Sequence, residues 1–314
     1  MTRLVLRRLL LAVPLLLAVS LAMFLLMELI PGDPAAAIAG DQATASILEQ
    51  IRERLGLDAP VFERYFDWLG GAVQGDLGTS LFNSQPVLES IKDRLPATLS
   101  LTFAATVLAL VIGAAIGIVA AQRPTSLLDR AITALTSVGL AMPSFWLGLI
   151  LIVVFVHQLA WLPPTGYVPL TEDPVEWARS ITMPALALGI PSSAVIARQT
   201  RSALIDVLQR DYVRAARARG ASRTSIVLRH GLKNAAAPIV TVLGFEVLAM
   251  LGGSIIIEQL FAIPGFGDLV FAAVQTRDLT VIQGAVVVTA VLVVLVNLVV
   301  DLLYAYANPR VRSG

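Results

Sequence analysis

Six apolar blocks run through the 314 residues, at about 9–30, 97–121, 131–156, 181–200, 235–257 and 279–303. A helix needs roughly 20 apolar residues to cross a hydrocarbon core, and within lipid the backbone polar groups must be satisfied internally. The blocks therefore predict an all-α polytopic membrane protein with six transmembrane helices. Composition agrees: 57% of residues are hydrophobic and 14% charged, where soluble domains carry about 25% charged residues. Mean hydropathy is +0.80. A net charge of +1 points to no nucleic acid, and the absence of cysteine removes disulfides, zinc thiolate sites and thiol catalysis.

The first block follows Arg3, Arg7 and Arg8 and admits a signal-peptide reading, with Ala37-Ile38-Ala39 as the cleavage pattern. Its uncharged stretch Leu9–Met27 outruns the roughly 7–15 residues of a signal core, so a retained N-terminal span over 1–30 is expected. Pro31 and Pro34 stop that helix, since proline lacks a donor and restricts the residue before it. Residues 31–96 form an extracytoplasmic segment, with a helix expected from Leu48 to Leu57 and Gly56 as the residue that can end it. Phe62, Tyr65, Phe66 and Trp68 then recur at helical spacing, the mark of a face packed on the domain or lying on the bilayer. Residues 97–305 hold the other five spans and 306–314 the tail. Gly113 and Gly117 form a small-xxx-small pair that lets two helices approach closely. Pro143 predicts a kink in the third block, and Pro191 an interruption of a shorter fourth one.

Orientation follows from basic residues. Sixteen Lys and Arg fall in the N-terminus, 122–130, 198–233 and the tail, against seven in the alternate segments. This places both termini and the 204–234 loop in the cytoplasm of a multi-pass plasma membrane protein.

Catalytic signatures are missing. Neither Lys92 nor Lys233 follows glycine, so no P-loop can form around them; His157 and His230 begin no H-E-x-x-H motif, and no G-x-S-x-G elbow occurs. The chain is expected to be a transport subunit rather than an enzyme, holding no cofactor or metal.

The most informative stretch is Gln209–Gly220. As a helix, it sets Arg210, Arg214 and Arg217 in one stripe and Tyr212, Ala215, Ala216 and Arg219 in another, the alanines permitting close approach. Gly220 suits the left-handed residue after a helix, and Ser222 can cap the next. Two readings stand: arginines held to anionic lipid, or a short docking helix for a cytosolic partner.

Ala215-Ala216, three residues and Gly220 resemble the cytoplasmic loop by which ABC-importer permeases engage their ATPases. Arg214 replaces the usual glutamate, which fits the peptide and nickel branch and its Tyr-Val-Arg-x-Ala-Arg-Ala-x-Gly pattern at Tyr212–Gly220. Pro31-Gly32-Asp33-Pro34, Leu55-Gly56-Leu57-Asp58, Gly75–Ser80, Arg229–Ala235, Glu258, Phe261, Pro264–Gly267, Arg277-Asp278, Asn297–Asp301 and Asn308-Pro309-Arg310 are similar to that branch in order and spacing. The N-terminal helix and long outer segment look like the first of two paired permeases. The resemblance implies a type I ABC-importer permease of MetI-like fold in a bacterial inner membrane. It further implies a homologous second permease, two ATPase subunits carrying ATP and Mg, and an extracytoplasmic substrate-binding protein. Tyr212, Arg214, Ala215, Ala216, Arg217 and Gly220 would couple to the ATPase. Dipeptides or short oligopeptides are the expected cargo, with nickel or a nickel chelate as the alternative. A stand-alone channel or secondary transporter would leave the Ala215–Gly220 pattern unexplained.

Polar residues inside the spans complete the list. A charge at the bilayer centre costs about 2.5–3.5 kcal/mol on insertion scales. Glu28 can reach the outer interface. Asn297 and Asp301 share a face, with Tyr304 a turn further, and suit interhelix hydrogen bonds or the substrate path. Glu246, in the middle of the fifth block, suits either a cation in the path or a pairing across helices.

Overall fold

The structure, a computed structural model, describes residues 2–29, 35, 44–55 and 59–307. Pro31–Pro34, the 37–39 pattern, Gly56–Asp58 and the 308–314 tail lie outside the described residues. Among the described residues the regular structure is helical, apart from one isolated antiparallel bridge, Thr79 to Pro86. In chain order the helices are α1 (Thr2–Glu28), α2 (Ala45–Leu55), α3 (Val61–Val73), α4 (Val87–Gln122), α5 (Leu127–Ala141) and α6 (Ser144–Ile152). They continue with α7 (Pro174–Leu208), α8 (Asp211–Ala218), α9 (Leu232–Phe261), α10 (Phe266–Thr276) and α11 (Leu279–Ala307). Among the described residues, five helices are long and apolar enough to cross a membrane: α1, α4, α7, α9 and α11. A sixth span results if α5 and α6, with the wider π-type turn Val153–Gln158 that follows, count as one.

Three expectations change. Pro143 does not merely kink the third block; α5 and α6 meet at 96°. The fourth block is neither short nor interrupted, because α7 runs 35 residues through both Pro184 and Pro191. Its window is 72% buried, and that packing outweighs the hydrogen bonds the two prolines remove. α4 begins ten residues before its apolar block, at Val87, with Pro96 inside it.

The chain separates into two compact units, Pro96–Asp268 with Leu295–Gly314, and Thr2–Leu95 with Leu269–Val294. The first is built around α7. Asp173 starts this helix by accepting from the Val175 and Glu176 N–H groups at 2.8 and 3.1 Å, with Pro174 at the first position, where no donor is needed. Leu101 and Ala105 of α4, Leu147 of α6, Met183 and Ile196 of α7, and Met250 and Phe261 of α9 form its main core. Gly113 and Gly117 do what their spacing predicts. A Cβ on Gly117 would lie 2.6 Å from the Ala197 carbonyl oxygen and from Thr200 Cβ, and one on Gly113 2.6 Å from the Ser193 oxygen. α4 and α7 thus meet with the glycine backbone of one against the backbone carbonyls and Thr200 of the other.

In the second unit α3 packs on α1. Tyr65 is buried, its hydroxyl 3.0 Å from Ser20 Oγ, and its ring stands edge-on to Phe24. Arg64 pairs with Glu28 at 2.8 Å and lies over Phe24. Phe62 and Phe66 remain exposed, so the aromatic stripe divides, Tyr65 packing on the domain and these two standing open. Asp278 caps α11 through the Val281 N–H (3.3 Å) and accepts from Ser80 Oγ at 2.5 Å. That bond holds the Gly75–Ser80 turn.

Candidate functional site

The Gln209–Gly220 stretch folds as the sequence predicts, into a short helix set off by turns at both ends. Arg210 is extended (φ −71°, ψ 151°) and breaks the path from α7. Asp211 and Arg217 lie at the ends favoured by the helix dipole. The C-terminus is a full Schellman turn. The Ala221 N–H donates to the Ala216 carbonyl at 3.2 Å and the Gly220 N–H to the Arg217 carbonyl at 2.9 Å, with Gly220 at φ +83°. A Cβ on Gly220 would meet nothing within 4 Å, so the demand for glycine there is purely conformational. Ser222 Oγ then accepts from the Ser225 N–H at 3.3 Å. The helical turn Arg223–Ser225 and a π-type turn, Ile226–Gly231, lead into α9.

α8 has a clear inner side. Val213 is fully buried and Ala216 nearly so; interring a valine side chain contributes about 1.5–3 kcal/mol. Tyr212, Arg214, Ala215, Arg217 and Arg219 are exposed. The stripe of Tyr212, Ala215, Ala216 and Arg219 therefore divides, Ala216 packing on its own chain and Ala215 facing outward. The Arg214–Asp211 pair, at 3.0 Å, is wide open to solvent and contributes little. Behind α8 lies a cavity of about 270 Å³ bordered by Gln122, Ile205, Leu208, Gln209, Arg217 and Val227, among others.

Two polar nodes in the same unit brace the helices that lead to α8. Arg201 of α7 forms a two-pronged pair with Asp129 of α5, Nε to Oδ1 at 2.5 Å and Nη2 to Oδ2 at 2.7 Å. Asp129, almost completely buried, also accepts from the Thr125 N–H at 2.8 Å, while Ser126 Oγ accepts from the Asp129 N–H. At the other end of α9, the fully buried Glu258 accepts from Thr98 Oγ1 at 2.6 Å and from the Asp268 N–H at 2.9 Å. Thr98 Oγ1 in turn accepts from the Phe266 N–H at 2.8 Å. A Cβ on Gly265 or Gly267 would run into the Glu258 carboxylate, which gives the Pro264–Gly267 motif a physical reason. Sequence reasoning noticed Glu258 without this role and missed the Asp129–Arg201 pair. The Ser126-x-x-Asp129 capping pattern was the one local signal.

The intramembrane candidates separate. Asp301 is half-buried and engaged within the chain. Asn297 is exposed and makes no side-chain hydrogen bond among the described residues. Glu246 is half-buried, midway along α9. The structure does not bring it together with the α8 residues.

Comparison with known proteins yields consistent matches. Residues 113–313 match the family described as "Binding-protein-dependent transport system inner membrane component", and residues 1–102 match the N-terminal family of the same systems. A "Putative peptide transport system permease protein" of Brucella abortus (strain 2308) is 42% identical over 312 residues, 99% of each chain. The "Glutathione transport system permease protein GsiC" of Escherichia coli O6:H1 is 43% identical over 308 residues, 98% of each chain. A solved chain of the inward-facing MetNI methionine ABC transporter superposes with a TM-score of 0.58 at 20% identity, covering 69% of this chain and 96% of that one. At that identity the superposition speaks for the fold alone.

Proposed function

The chain belongs to the family of binding-protein-dependent transport system inner membrane components and is a MetI-like permease subunit of an ABC importer; from that premise we propose that it carries short peptides and couples to its ATPase through α8. A second, homologous permease completes the path. Two ATPase subunits bind ATP and Mg, and a binding protein delivers the cargo from outside. Peptide cargo is supported by the names of the relatives from Brucella abortus and Escherichia coli, identical over two fifths of nearly full-length alignments.

The observation that carries the coupling role is the construction of α8. It is short, stopped at both ends, fastened inward by Val213 and Ala216, and it presents Tyr212, Ala215 and three arginines outward. Such a helix can transmit a push as a unit to α7 and α9, which flank it in sequence. The alternative, attraction of the arginines to anionic lipid, depends on charge and is screened by salt.

The two are separated at Ala215. Ala215→Trp adds bulk on the exposed side, so insertion and folding should persist while the co-purifying ATPase falls about tenfold, a change of about 1.4 kcal/mol in binding. Normal ATPase retention and normal ATP-driven uptake by Ala215→Trp would refute docking through this face. Loss of binding on removing Arg210, Arg214 and Arg217, but not on adding the indole, would favour lipid attraction.

Orientation is proposed from the charge bias, with α8 and both termini cytoplasmic. Gln85 and Thr224 are both exposed, and the chain has no cysteine. Gln85→Cys should react with an impermeant maleimide in intact cells, and Thr224→Cys only after permeabilisation. Reaction of both from one side contradicts the arrangement.

A further inference from the structure

The cavity behind α8 holds about 270 Å³ and is partly open rather than sealed. That is just below the roughly 300–1,000 Å³ of small-ligand pockets. Its depth follows from the packing around it. Ala121 borders the cavity and clusters with Ala203 and Leu204 of α7. The cavity therefore opens beside the last apolar turn of α4, where the second apolar block gives way to Gln122 and Arg123. At such a boundary a hydrocarbon core meets its headgroups.

The lining is chemically two-sided. Ile205, Leu208 and the buried Ile226 and Val227 supply an aliphatic wall, while Gln122, Gln209 and Arg217 supply hydrogen-bond donors. Among the described residues no acid borders the cavity. Asp206 is exposed next to Ile205 but stands off that border. Asp129, which holds the adjoining turn at Thr125, is already paired with Arg201. The Arg217 side chain makes no ion pair or hydrogen bond among the described residues. It projects one turn beyond the buried Val213, so it leaves α8 on the flank of its inner side. Two further exposed arginines adjoin the border, Arg123 between Gln122 and Pro124, and Arg210 after Gln209.

An unpaired guanidinium beside an acid-free cavity calls for an anion, and its planar fork suits phosphate oxygens two at a time. Free phosphate gains nothing from four aliphatic side chains, whereas a phosphate ester with a hydrocarbon stem does. The cytoplasmic leaflet supplies such esters in its anionic lipids. We propose that this cavity binds the phosphodiester headgroup of an anionic phospholipid, with Arg217 as counter-ion and the aliphatic wall against the glycerol end. The lipid sits behind α8 and leaves Tyr212 and Ala215 free for an ATPase, so the site stands whether or not α8 docks one. Only the choice of leaflet rests on the orientation proposed above. An occupied cavity fills the space between α8 and the ends of α4 and α7, and so stiffens the seat of that helix.

The test uses the purified complete complex in detergent, with a short-chain phosphatidylglycerol carrying a photoreactive diazirine at its headgroup. Illumination should attach this probe to peptides covering 122–124 and 205–209, identified by mass spectrometry. Arg217→Gln should cut that labelling about tenfold. Arg214→Gln removes the same charge from a part of α8 that does not border the cavity, and labelling should persist. The matching phosphatidylcholine probe, whose headgroup has no net charge, should label weakly. Equal labelling of wild type and Arg217→Gln overturns the proposal. So does an equal loss in Arg214→Gln, the mark of diffuse surface attraction, or equal labelling by the two probes. Full competition by inorganic phosphate at the concentration of the probe assigns the cavity to a free anion and overturns the lipid. ATPase content is measured in the same samples: a wild-type complex that takes the probe but holds no ATPase sinks the docking reading and leaves this one standing.

Discussion

Gly117→Leu should insert into the membrane and then fail to pack, giving a chain that aggregates on extraction and is cut rapidly by protease. The first added carbon would already stand 2.6 Å from the Ala197 carbonyl oxygen and from Thr200 Cβ, and neither belongs to a flexible side-chain end. Overpacking of this kind costs about 1–3 kcal/mol for a few methylenes in a core that can adjust. Here the obstruction is the α7 backbone, so alanine should already lie in that range and leucine beyond it. Gly252 is the matched control on α9: a Cβ there meets nothing within 4 Å, and Gly252→Leu should leave thermal stability in detergent nearly unchanged. Equal melting temperatures for the two leucine variants would show that the α4–α7 contact is not closely packed.

Arg201→Gln should lower stability by about 1–3 kcal/mol, the cost of leaving a charged acceptor without its donor, and less than for a fully buried pair because the Arg201 side chain is 31% exposed. The loss arises chiefly from what remains, since Asp129 is 4% exposed and keeps its charge in a place with little water. The Asp129→Asn/Arg201→Gln double variant removes both charges and should recover much of the difference. Thermal denaturation of the purified complex measures both, and a double-variant loss equal to the sum of the two single losses would show that the pair is not coupled. The consequence is also local. Asp129 holds the Thr125 N–H, and Thr125 sits at φ +67°, a conformation that persists only when its surroundings impose it.

Much of this was legible in the sequence because membrane folding makes composition decisive. The apolar blocks located all five long helices among the described residues; what changed was their ends and the interruption expected at Pro191. Lys92, Asp93 and Arg94 concealed the first turns of α4, since charge in a helix extending beyond lipid looks like loop. The caps at Gly220 and Ser222 were readable because capping is chemistry among neighbours. What could not be read was the third dimension. Ala215 and Ala216 are adjacent and chemically identical, yet they differ by about 100° around α8, and only the packed structure says which faces inward. Asp129 and Arg201 lie 72 positions apart, beyond any local pattern. The course of α7 through Pro184 and Pro191 follows from burial rather than propensity.

The right-angle elbow between α5 and α6 has a further consequence. Each limb is short, α5 being 15 residues and so about 22 Å long, less than the roughly 30 Å of a hydrocarbon core. The last carbonyls of α5, from Val138 to Ala141, receive none of the described backbone hydrogen bonds from outside their helix, and Ala141 and Pro143 are exposed. Bare peptide groups do not persist against acyl chains. The elbow is therefore a wet place: either it reaches the headgroup layer or it borders an aqueous vestibule, and a neighbouring polypeptide that dried it would have to bring hydrogen-bond donors of its own.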